Sequence, residues 1–313
     1  MSKTILILGG GAGGIVAANE LRKKLAGEHK IILIDRNNSH LFYPSLLWVL
    51  EGTRTPEQIV KGFDRLKRKG IEFHQAEITK IDPAGKKVKA GGVYYAFDYL
   101  IIALGAELNY EAIPGVGEEN CLYVLPGILK LRERLRTFSG GKVYVVIAST
   151  PFRCPAAPYE AAMLLDDIFR KKGIREKVDL RIFTAEDQPM PVAGPKIGAA
   201  VRRMIERQGI KYFPKAKLNA VDNQKNEIVL DNGERHKFDL LAVVPPHKAP
   251  EVVKEAGLLG ESAWAPVNSA TLETKHPCVF AIGDVTGIKL SNGKALPKAG
   301  VFAHFEAEVV VSR

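Results

Sequence analysis

Short apolar runs alternate with longer amphipathic stretches from the start of the chain. An apolar run at residues 5–8 is followed by a stretch with helical periodicity at 15–25, and then by a second apolar run at 31–34. Strands of a parallel sheet are buried on both faces and read as continuous apolar runs, whereas the connecting helices are apolar on one face. This order predicts a β–α–β unit with a parallel sheet.

The same order restarts in the second half of the chain. Residues 143–147 and 180–183 form apolar runs, and the stretch at 157–172 between them has helical periodicity. A turn-rich segment at 112–117 separates the halves, and a late apolar run from 279 ends in Gly283 and Asp284. We therefore predict an α/β protein with two Rossmann-like domains built on parallel sheets. Residues 1–111 and 265–313 are predicted to form a discontinuous first domain, and residues 112–264 a second Rossmann-like domain.

Composition narrows the class of protein. The chain has 313 residues, 46% of them hydrophobic, so that two domains can each bury a core. The formal net charge of +10 is spread over short clusters, and no RNA- or DNA-binding motif accompanies it, which argues against a nucleic-acid partner. A solvated face, or contact with an anionic membrane surface, stays open. The oligomeric state also stays open, and a homo-oligomer is one of the alternatives.

The start of the chain and its apolar runs bear on location. The first residues enter the apolar run without the features of an export signal, so we expect a cytoplasmic protein. Since no apolar run approaches the roughly 20 residues that span a bilayer, we expect any membrane contact to be peripheral, at the cytoplasmic membrane. His40, His247 and His304 have no partner at a metal-ligand spacing, and no metal is predicted.

A glycine-rich turn lies between the first predicted strand and helix. Gly9, Gly11 and Gly14 occupy the positions of a GxGxxG pattern: the first permits the tight turn, the second lets a pyrophosphate approach the backbone, and the third lets helix and strand pack closely. Asp35 ends the next predicted strand, 24 residues after Gly11, where a carboxylate can accept hydrogen bonds from ribose hydroxyls. A turn without function is the alternative, and the pattern by itself does not separate FAD from NAD.

Two later segments favour FAD. Residues 98–106 read DYLIIALGA and residues 281–284 read AIGD; they resemble the two downstream FAD segments of FAD-dependent pyridine nucleotide-disulfide oxidoreductases. Residues 41–46 and 297–300 resemble that family's flavin-contacting proline loop and its PKxG segment, whose lysine lies near the flavin. The resemblance implies FAD as cofactor, and we therefore predict that the discontinuous domain of residues 1–111 and 265–313 is FAD-binding. The residues that we predict to contact it are Gly9, Gly11, Gly13, Gly14, Asp35, Arg36, Pro44, Ile78, Ala103, Gly105, Gly283, Asp284 and Lys298.

The second half lacks the glycine turn that NADH-using members of this superfamily carry. Residues 148–155 read ASTPFRCP, in which bulky side chains and two prolines block a pyrophosphate and remove amide donors. We therefore expect poor NADH binding. Residues 154–160 read CPAAPYE, which resembles the CPxxPYE segment of sulfide:quinone oxidoreductases and flavocytochrome c sulfide dehydrogenases. The resemblance implies a cysteine beside the flavin that takes part in sulfide oxidation.

Four residues are the candidates for catalysis: Cys154, Cys121, Glu160 and Lys298. A helix N-terminus behind Cys154 lowers the pKa of a thiol and favours the nucleophilic thiolate, whereas the alternative is a small buried residue. Cys121 falls where the resembling enzymes often carry a further cysteine, and packing is an equal alternative. Glu160 is either a carboxylate favoured by the helix dipole or a proton-handling group, and Lys298 either a flavin contact or a solvated lysine. Cys278 we expect to be structural.

The resembling enzymes continue past the helix predicted at 301–311. Their further region carries a cysteine that pairs with the counterpart of Cys154, most of the quinone pocket and membrane-associated helices, whereas this sequence stops at Arg313. We expect either a truncated form or a short relative, in which a disulfide cycle requires Cys121 to reach Cys154. The favoured hypothesis is oxidation of a small sulfur substrate, with electrons passing through FAD to a quinone or cytochrome-like acceptor. The rivals are a type II NADH dehydrogenase-like enzyme and a non-catalytic FAD-binding protein.

Overall fold

The computed structural model describes residues 2–313 with their side chains. Its α-helices are α1 (Ala12–Lys24), α2 (Leu46–Glu51), α3 (Asp64–Lys67), α4 (Leu125–Thr137), α5 (Ala157–Lys171), α6 (Pro195–Arg207), α7 (Glu251–Glu255) and α8 (Gly300–Val311). Its strands are β1 (Thr4–Leu8), β2 (Lys30–Asp35), β3 (Ser39–Leu41), β4 (Val60–Gly62), β5 (Glu72–Gln75), β6 (Ile78–Asp82), β7 (Lys87–Ala90), β8 (Val93–Ala96), β9 (Tyr99–Ile102), β10 (Glu107–Leu108), β11 (Gly141–Ile147), β12 (Val178–Thr184), β13 (Lys211–Phe213), β14 (Leu218–Asp222), β15 (Glu227–Leu230), β16 (Arg235–Lys237), β17 (Leu240–Val244), β18 (His247–Lys248) and β19 (Val279–Ala281).

The chain divides into two packing units. Unit 1 contains residues up to Leu41, Val60–Glu107 and Lys248–Arg313, and unit 2 contains Phe42–Ile59 and Leu108–His247. The chain therefore crosses between units at 41/42, 59/60, 107/108 and 247/248, whereas the predicted domain borders are at 111/112 and 264/265. The assignment of the two units to cofactor domains stays a prediction.

Unit 1 is built on a five-stranded parallel sheet in the order β19–β9–β1–β2–β5. Alternate residues of β1 enter two different cores, Ile5 and Ile7 on one face and Leu6 and Leu8 on the other. Helices α1 and α8 contribute to the first core, and the antiparallel sheet β6–β7–β8 with α7 contributes to the second. Because both faces are covered, every residue of the strand can be apolar, and this explains the continuous run in the sequence.

Unit 2 repeats the plan with a four-stranded parallel sheet in the order β13–β12–β11–β17. An antiparallel sheet, β14–β15–β16, packs its buried residues into one core of this unit. The segment Phe42–Ile59 joins unit 2 although its neighbours in the chain belong to unit 1. Its helix α2 is linked to α5 by an ion pair between Glu51 and Lys171 at 3.2 Å.

The predicted α/β class with parallel sheets is confirmed by these two sheets. The late apolar run differs in one respect: β19 ends at Ala281, and Gly283–Val285 form a turn of 3₁₀-helix. None of the helices formed by residues 2–313 combines the length and the apolar character needed to cross a bilayer.

Candidate functional site

The glycine-rich turn follows β1 and leads into α1. An added Cβ at Gly9, whose φ is +98°, would lie 2.4 Å from the carbonyl oxygen of Ala103, and one at Gly14 would lie 1.9 Å from the oxygen of Gly9. The protein's own backbone closes both positions. At Gly11, by contrast, no atom of residues 2–313 beyond its immediate neighbours in the chain lies within 4 Å of an added Cβ. The backbone there is open to a ligand, beside the first amide groups of a helix, and fits a pyrophosphate.

Asp35 ends β2 beside this turn. One carboxylate oxygen accepts the backbone N–H of Gly10 at 2.7 Å, and the other accepts the backbone N–H of Asn37 at 2.7 Å. These donors hold the carboxylate at the strand end. Since each carboxylate oxygen can accept more than one hydrogen bond, Asp35 retains acceptor capacity for the hydroxyl groups of a ribose.

Two further predicted segments follow neighbouring strands. Ala103, after β9, donates its backbone N–H to the carbonyl oxygen of Leu8 at 2.7 Å. At Gly105, whose φ is +70°, no atom of residues 2–313 beyond its immediate neighbours in the chain lies within 4 Å of an added Cβ. Gly283, at φ +74°, follows β19. Because β19, β9, β1 and β2 are adjacent and parallel, their carboxyl ends lie at one edge of the sheet. The structure thus brings these segments together with the glycine turn and Asp35, in an arrangement that fits FAD.

Lys298 lies beside Asp284 and is buried, with 6% of its surface exposed. Its Nζ donates to the carbonyl oxygens of Asp284 at 2.6 Å and Thr286 at 3.1 Å, and lies 3.3 Å from the centroid of the Trp264 ring. Burial lowers the pKa of the Lys298 ammonium group to about 8. A solvated surface lysine is therefore excluded, and the role of Lys298 toward the flavin stays a prediction.

Glu306, which the sequence analysis missed, lies in the same pocket as Lys298 and Asp284. It accepts the backbone N–H of Gly283 at 2.5 Å, and burial raises the pKa of its carboxyl group to about 7. The other residues on the buried side of α8 are small or apolar. A glutamate on the apolar side of a predicted helix is the signal that could have identified it.

Four of the other predicted flavin contacts lie in different surroundings. Gly13 is in the first turn of α1, where an added Cβ would lie 3.0 Å from Cδ1 of Ile282. Arg36 is exposed after β2, and Ile78 packs its side chain in a core of unit 1. Pro44 is exposed and belongs to unit 2. Contact between these four residues and FAD stays a prediction.

Cys154 lies in the turn between β11 and α5 and is exposed. Its φ of +51° is in the left-handed region, which cysteine adopts rarely. Its carbonyl oxygen accepts the backbone N–H of Ala157 at 3.0 Å and the hydroxyl group of Tyr123 at 3.2 Å. The structure places Cys154 in the strand-to-helix turn, just before a helix N-terminus, where a thiolate is favoured. Its redox role stays a prediction.

Cys121 is buried, with 1% of its surface exposed. Its Sγ accepts the backbone N–H of Tyr123 at 3.3 Å, and burial raises the pKa of its thiol group. A buried thiol of raised pKa ionises poorly and reacts slowly as a nucleophile. These surroundings favour the packing alternative for Cys121, and its participation in catalysis stays a prediction.

Glu160 lies in the first turn of α5. Partial burial raises the pKa of its carboxyl group above the usual value. This direction is opposite to the one that a helix dipole alone would produce. It is compatible with the proton-handling role, which stays a prediction.

A second carboxylate missed by the sequence analysis, Glu186, follows β12 in unit 2. It is 5% exposed, and burial raises the pKa of its carboxyl group to about 7. The hydroxyl group of Tyr159, on α5, donates to Glu186 Oε2, and Thr184 Oγ1 donates to the same oxygen at 3.4 Å. In unit 1 the carboxylate at the end of the second strand is Asp35, which accepts the backbone N–H of Gly10 in the glycine turn. In unit 2 a tyrosine covers the corresponding carboxylate.

We expect Glu186→Gln to flatten the pH dependence of stability. A carboxyl group whose folded-state pKa is raised from 4.5 to about 7 stabilises the protein fully below pH 4.5, and this contribution is lost as the pH rises through 7. Glutamine keeps an acceptor for Tyr159 without a charge, so the variant is expected to be more stable than wild type at pH 8, by up to about 3 kcal/mol. Unfolding of both proteins by urea at pH 5 and pH 8 measures this difference. The same gain in the exposed control variant Glu133→Gln would contradict the explanation.

Comparison with known proteins supports the same fold and cofactor. The model of the pyridine nucleotide-disulphide oxidoreductase family matches residues 3–304. The chain is 29% identical over 307 residues to mitochondrial sulfide:quinone oxidoreductase of Mus musculus, covering 93% of this chain and 67% of that protein. The crystal structure of the sulfide:quinone oxidoreductase of Aquifex aeolicus superposes with a TM-score of 0.88 at 25% identity, covering 99% of this chain and 76% of that one.

A second enzyme type is also similar. The chain is 27% identical over 354 residues to the type II NADH:quinone oxidoreductase of Haemophilus influenzae, covering 96% of this chain and 78% of that protein. The predicted resemblance to sulfide:quinone oxidoreductases and the FAD cofactor are confirmed. The substrate is left to be proposed. The fold, the edge of the sheet that fits FAD and the match over residues 3–304 together show that the chain belongs to the pyridine nucleotide-disulphide oxidoreductase family of FAD-dependent flavin oxidoreductases.

Proposed function

We propose that this protein oxidises sulfide, or a related sulfur nucleophile, with Cys154 carrying the sulfur and a quinone as the final electron acceptor. The observation that carries the proposal is the turn between β11 and α5. There an exposed cysteine, followed by a proline, occupies the place where unit 1 has its glycine turn. The similarity to sulfide:quinone oxidoreductases supports the same substrate class.

The proposed net step balances as follows. The Cys154 thiolate and a hydrosulfide anion become a cysteine persulfide anion and a proton, and two electrons are released; one sulfur–sulfur bond forms and one S–H bond breaks. Bound FAD would supply a two-electron carrier between the sulfur and the final acceptor. A quinone takes up the two electrons with two protons to become a quinol, and a cytochrome-like protein is the alternative acceptor. Glu160 is our candidate for the released proton, and Lys298 for positive charge beside the flavin.

The surroundings of Glu186 argue against NADH as the electron donor. A dinucleotide bound at unit 2 requires an open turn after β11 and an accessible carboxylate after β12. Pro151, Phe152 and Pro155 occupy the turn, and Tyr159 covers Glu186. Both parts of the site are therefore filled by the protein itself.

Sulfide is expected to bleach the flavin of the purified holoprotein at least about 100-fold faster than NADH at equal concentration, since the missing NADH contacts correspond to several kcal/mol of binding free energy. Anaerobic stopped-flow absorbance of the oxidised flavin measures both rates, and dithionite reduction establishes the total amount of reducible flavin. Faster bleaching by NADH would establish the type II NADH dehydrogenase alternative. A flavin that dithionite reduces and neither substrate reduces would establish a non-catalytic FAD-binding protein.

A further inference from the structure

Arg153, which precedes Cys154 in the chain, is held between two aromatic rings of unit 2. The centre of its guanidinium group lies 4.2 Å from the centroid of the Tyr43 ring and 5.3 Å from that of the Tyr123 ring. One guanidinium nitrogen also donates to the carbonyl oxygen of Tyr123 at 2.6 Å. None of these three contacts is to a carboxylate, so they fix the guanidinium group without neutralising its charge.

Tyr123 connects this cation to the cysteine. Its carbonyl oxygen accepts from Arg153, and its hydroxyl group donates to the carbonyl oxygen of Cys154 at 3.2 Å. Burial raises the pKa of the Tyr123 hydroxyl group far above its usual value, so this hydroxyl stays a neutral donor. Arg153, Tyr123 and Cys154 therefore form a closed chain of contacts at the turn.

The substrate and nucleophile of the proposed function are both anions. Hydrosulfide and a cysteine thiolate each gain from a fixed positive charge in a partly exposed site, where the effective dielectric constant is below that of bulk water. Other titratable groups of unit 2 near this turn are Tyr43, Cys121, Glu160, Glu186 and His247, whose ring centroid lies 5.8 Å from that of Tyr123. Among these groups and Arg153, the guanidinium group is the one whose positive charge does not depend on pH in the range of the assays.

We propose that Arg153 acts as a positioning and electrostatic residue of the cysteine turn, the segment 148–156 between β11 and α5. It orients Cys154 through Tyr123 and attracts an anionic sulfur substrate to it. This inference rests on the proposed function, because it assigns the substrate an anionic form. The effect of the Arg153 charge on the reactivity of Cys154 can be measured without any sulfide oxidation, so the two proposals can be tested separately.

The test compares an anionic and a neutral alkylating agent on the holoprotein. Iodoacetate and iodoacetamide both react with the thiolate, so the ratio of their rates at Cys154 reports the local charge and cancels changes in thiolate fraction. We expect Arg153→Gln to lower the iodoacetate-to-iodoacetamide ratio about fivefold at low salt, whereas Arg153→Lys retains most of it. Mass spectrometry of the peptide containing Cys154 separates its labelling from that of the other two cysteines.

The matched control is Arg54→Gln, because the Arg54 guanidinium group also stacks on an aromatic ring, at 5.6 Å from the centroid of Trp48. This variant is expected to leave the ratio unchanged. An unchanged ratio in Arg153→Gln, or an equal fall in Arg153→Lys, overturns the inference. In the flavin assay, Arg153→Gln should raise the sulfide concentration for half-maximal bleaching more than it lowers the maximal rate. Sulfide could also bleach neither wild type nor any variant while Arg153→Gln still lowers the alkylation ratio. That result would contradict the proposed function and support the effect of the Arg153 charge on Cys154.

Discussion

Cys154→Ser is expected to lower the rate of flavin bleaching by sulfide by a factor of about 100 or more, because a serine hydroxyl group is neither ionised at neutral pH nor able to carry a persulfide sulfur. Serine has nearly the same size as cysteine, so the turn and FAD binding should persist. Stopped-flow absorbance of the oxidised flavin, with the protein in excess over any free FAD, measures the rate. Dithionite should still reduce the variant completely.

Cys278→Ser is the matched control for this experiment. Cys278 also has a left-handed backbone, with φ +65° against +51° for Cys154, so that both substitutions meet the same backbone demand. It lies in unit 1, outside the cysteine turn, and its replacement should leave the sulfide rate within about twofold of wild type. Equal bleaching rates in wild type and Cys154→Ser would show that Cys154 takes no part in the reaction.

The second large effect is expected at the glycine turn, where two substitutions of the same kind should act differently. Gly11→Ala adds a methyl group into space where no atom of residues 2–313 beyond the immediate chain neighbours of Gly11 lies within 4 Å. The apoprotein should therefore fold normally, while FAD binds about 5- to 150-fold more weakly, the effect of about 1–3 kcal/mol of overpacking against its pyrophosphate. Fluorescence titration of apoprotein with FAD measures the affinity.

Gly14→Ala should instead destabilise the protein itself. Its new Cβ would lie 1.9 Å from the oxygen of Gly9, so helix α1 must move away from β1, at a cost of about 3 kcal/mol or more. The unfolding midpoint of the apoprotein in urea separates the two variants. A lowered midpoint in Gly11→Ala with unchanged FAD affinity would show that this glycine, too, serves packing, and would contradict the assigned pyrophosphate site.

Much of the architecture follows from local features of the sequence. Continuous apolar runs such as residues 143–147 identify strands that are covered on both faces, and the glycine turn and Asp35 identify the first β–α–β unit. The segment CPAAPYE predicts a cysteine before a helix N-terminus. These features are readable because each depends on neighbours in the chain: a strand's apolar run, a turn's glycines and a helix's first residues are local requirements.

Residues whose meaning depends on distant parts of the chain required the tertiary structure. Sequence spacing alone does not distinguish Gly11, which faces open space, from Gly9, whose space is taken by Ala103. Nor does it show that Lys298 is buried on carbonyl groups, that Tyr159 covers Glu186, or that Arg153 rests on a ring from the segment Phe42–Ile59.

The sequence by itself thus determined the fold class and the position of the cysteine turn, because periodicity and turn chemistry act over a few residues. The cofactor followed from the resemblance of residues 98–106 and 281–284 to known FAD segments. The tertiary structure decided which polar groups are buried, which glycines are open and which rings hold the guanidinium group that precedes the cysteine. Burial and electrostatic fields depend on atoms brought together from separate elements, and a linear pattern contains no measure of those distances.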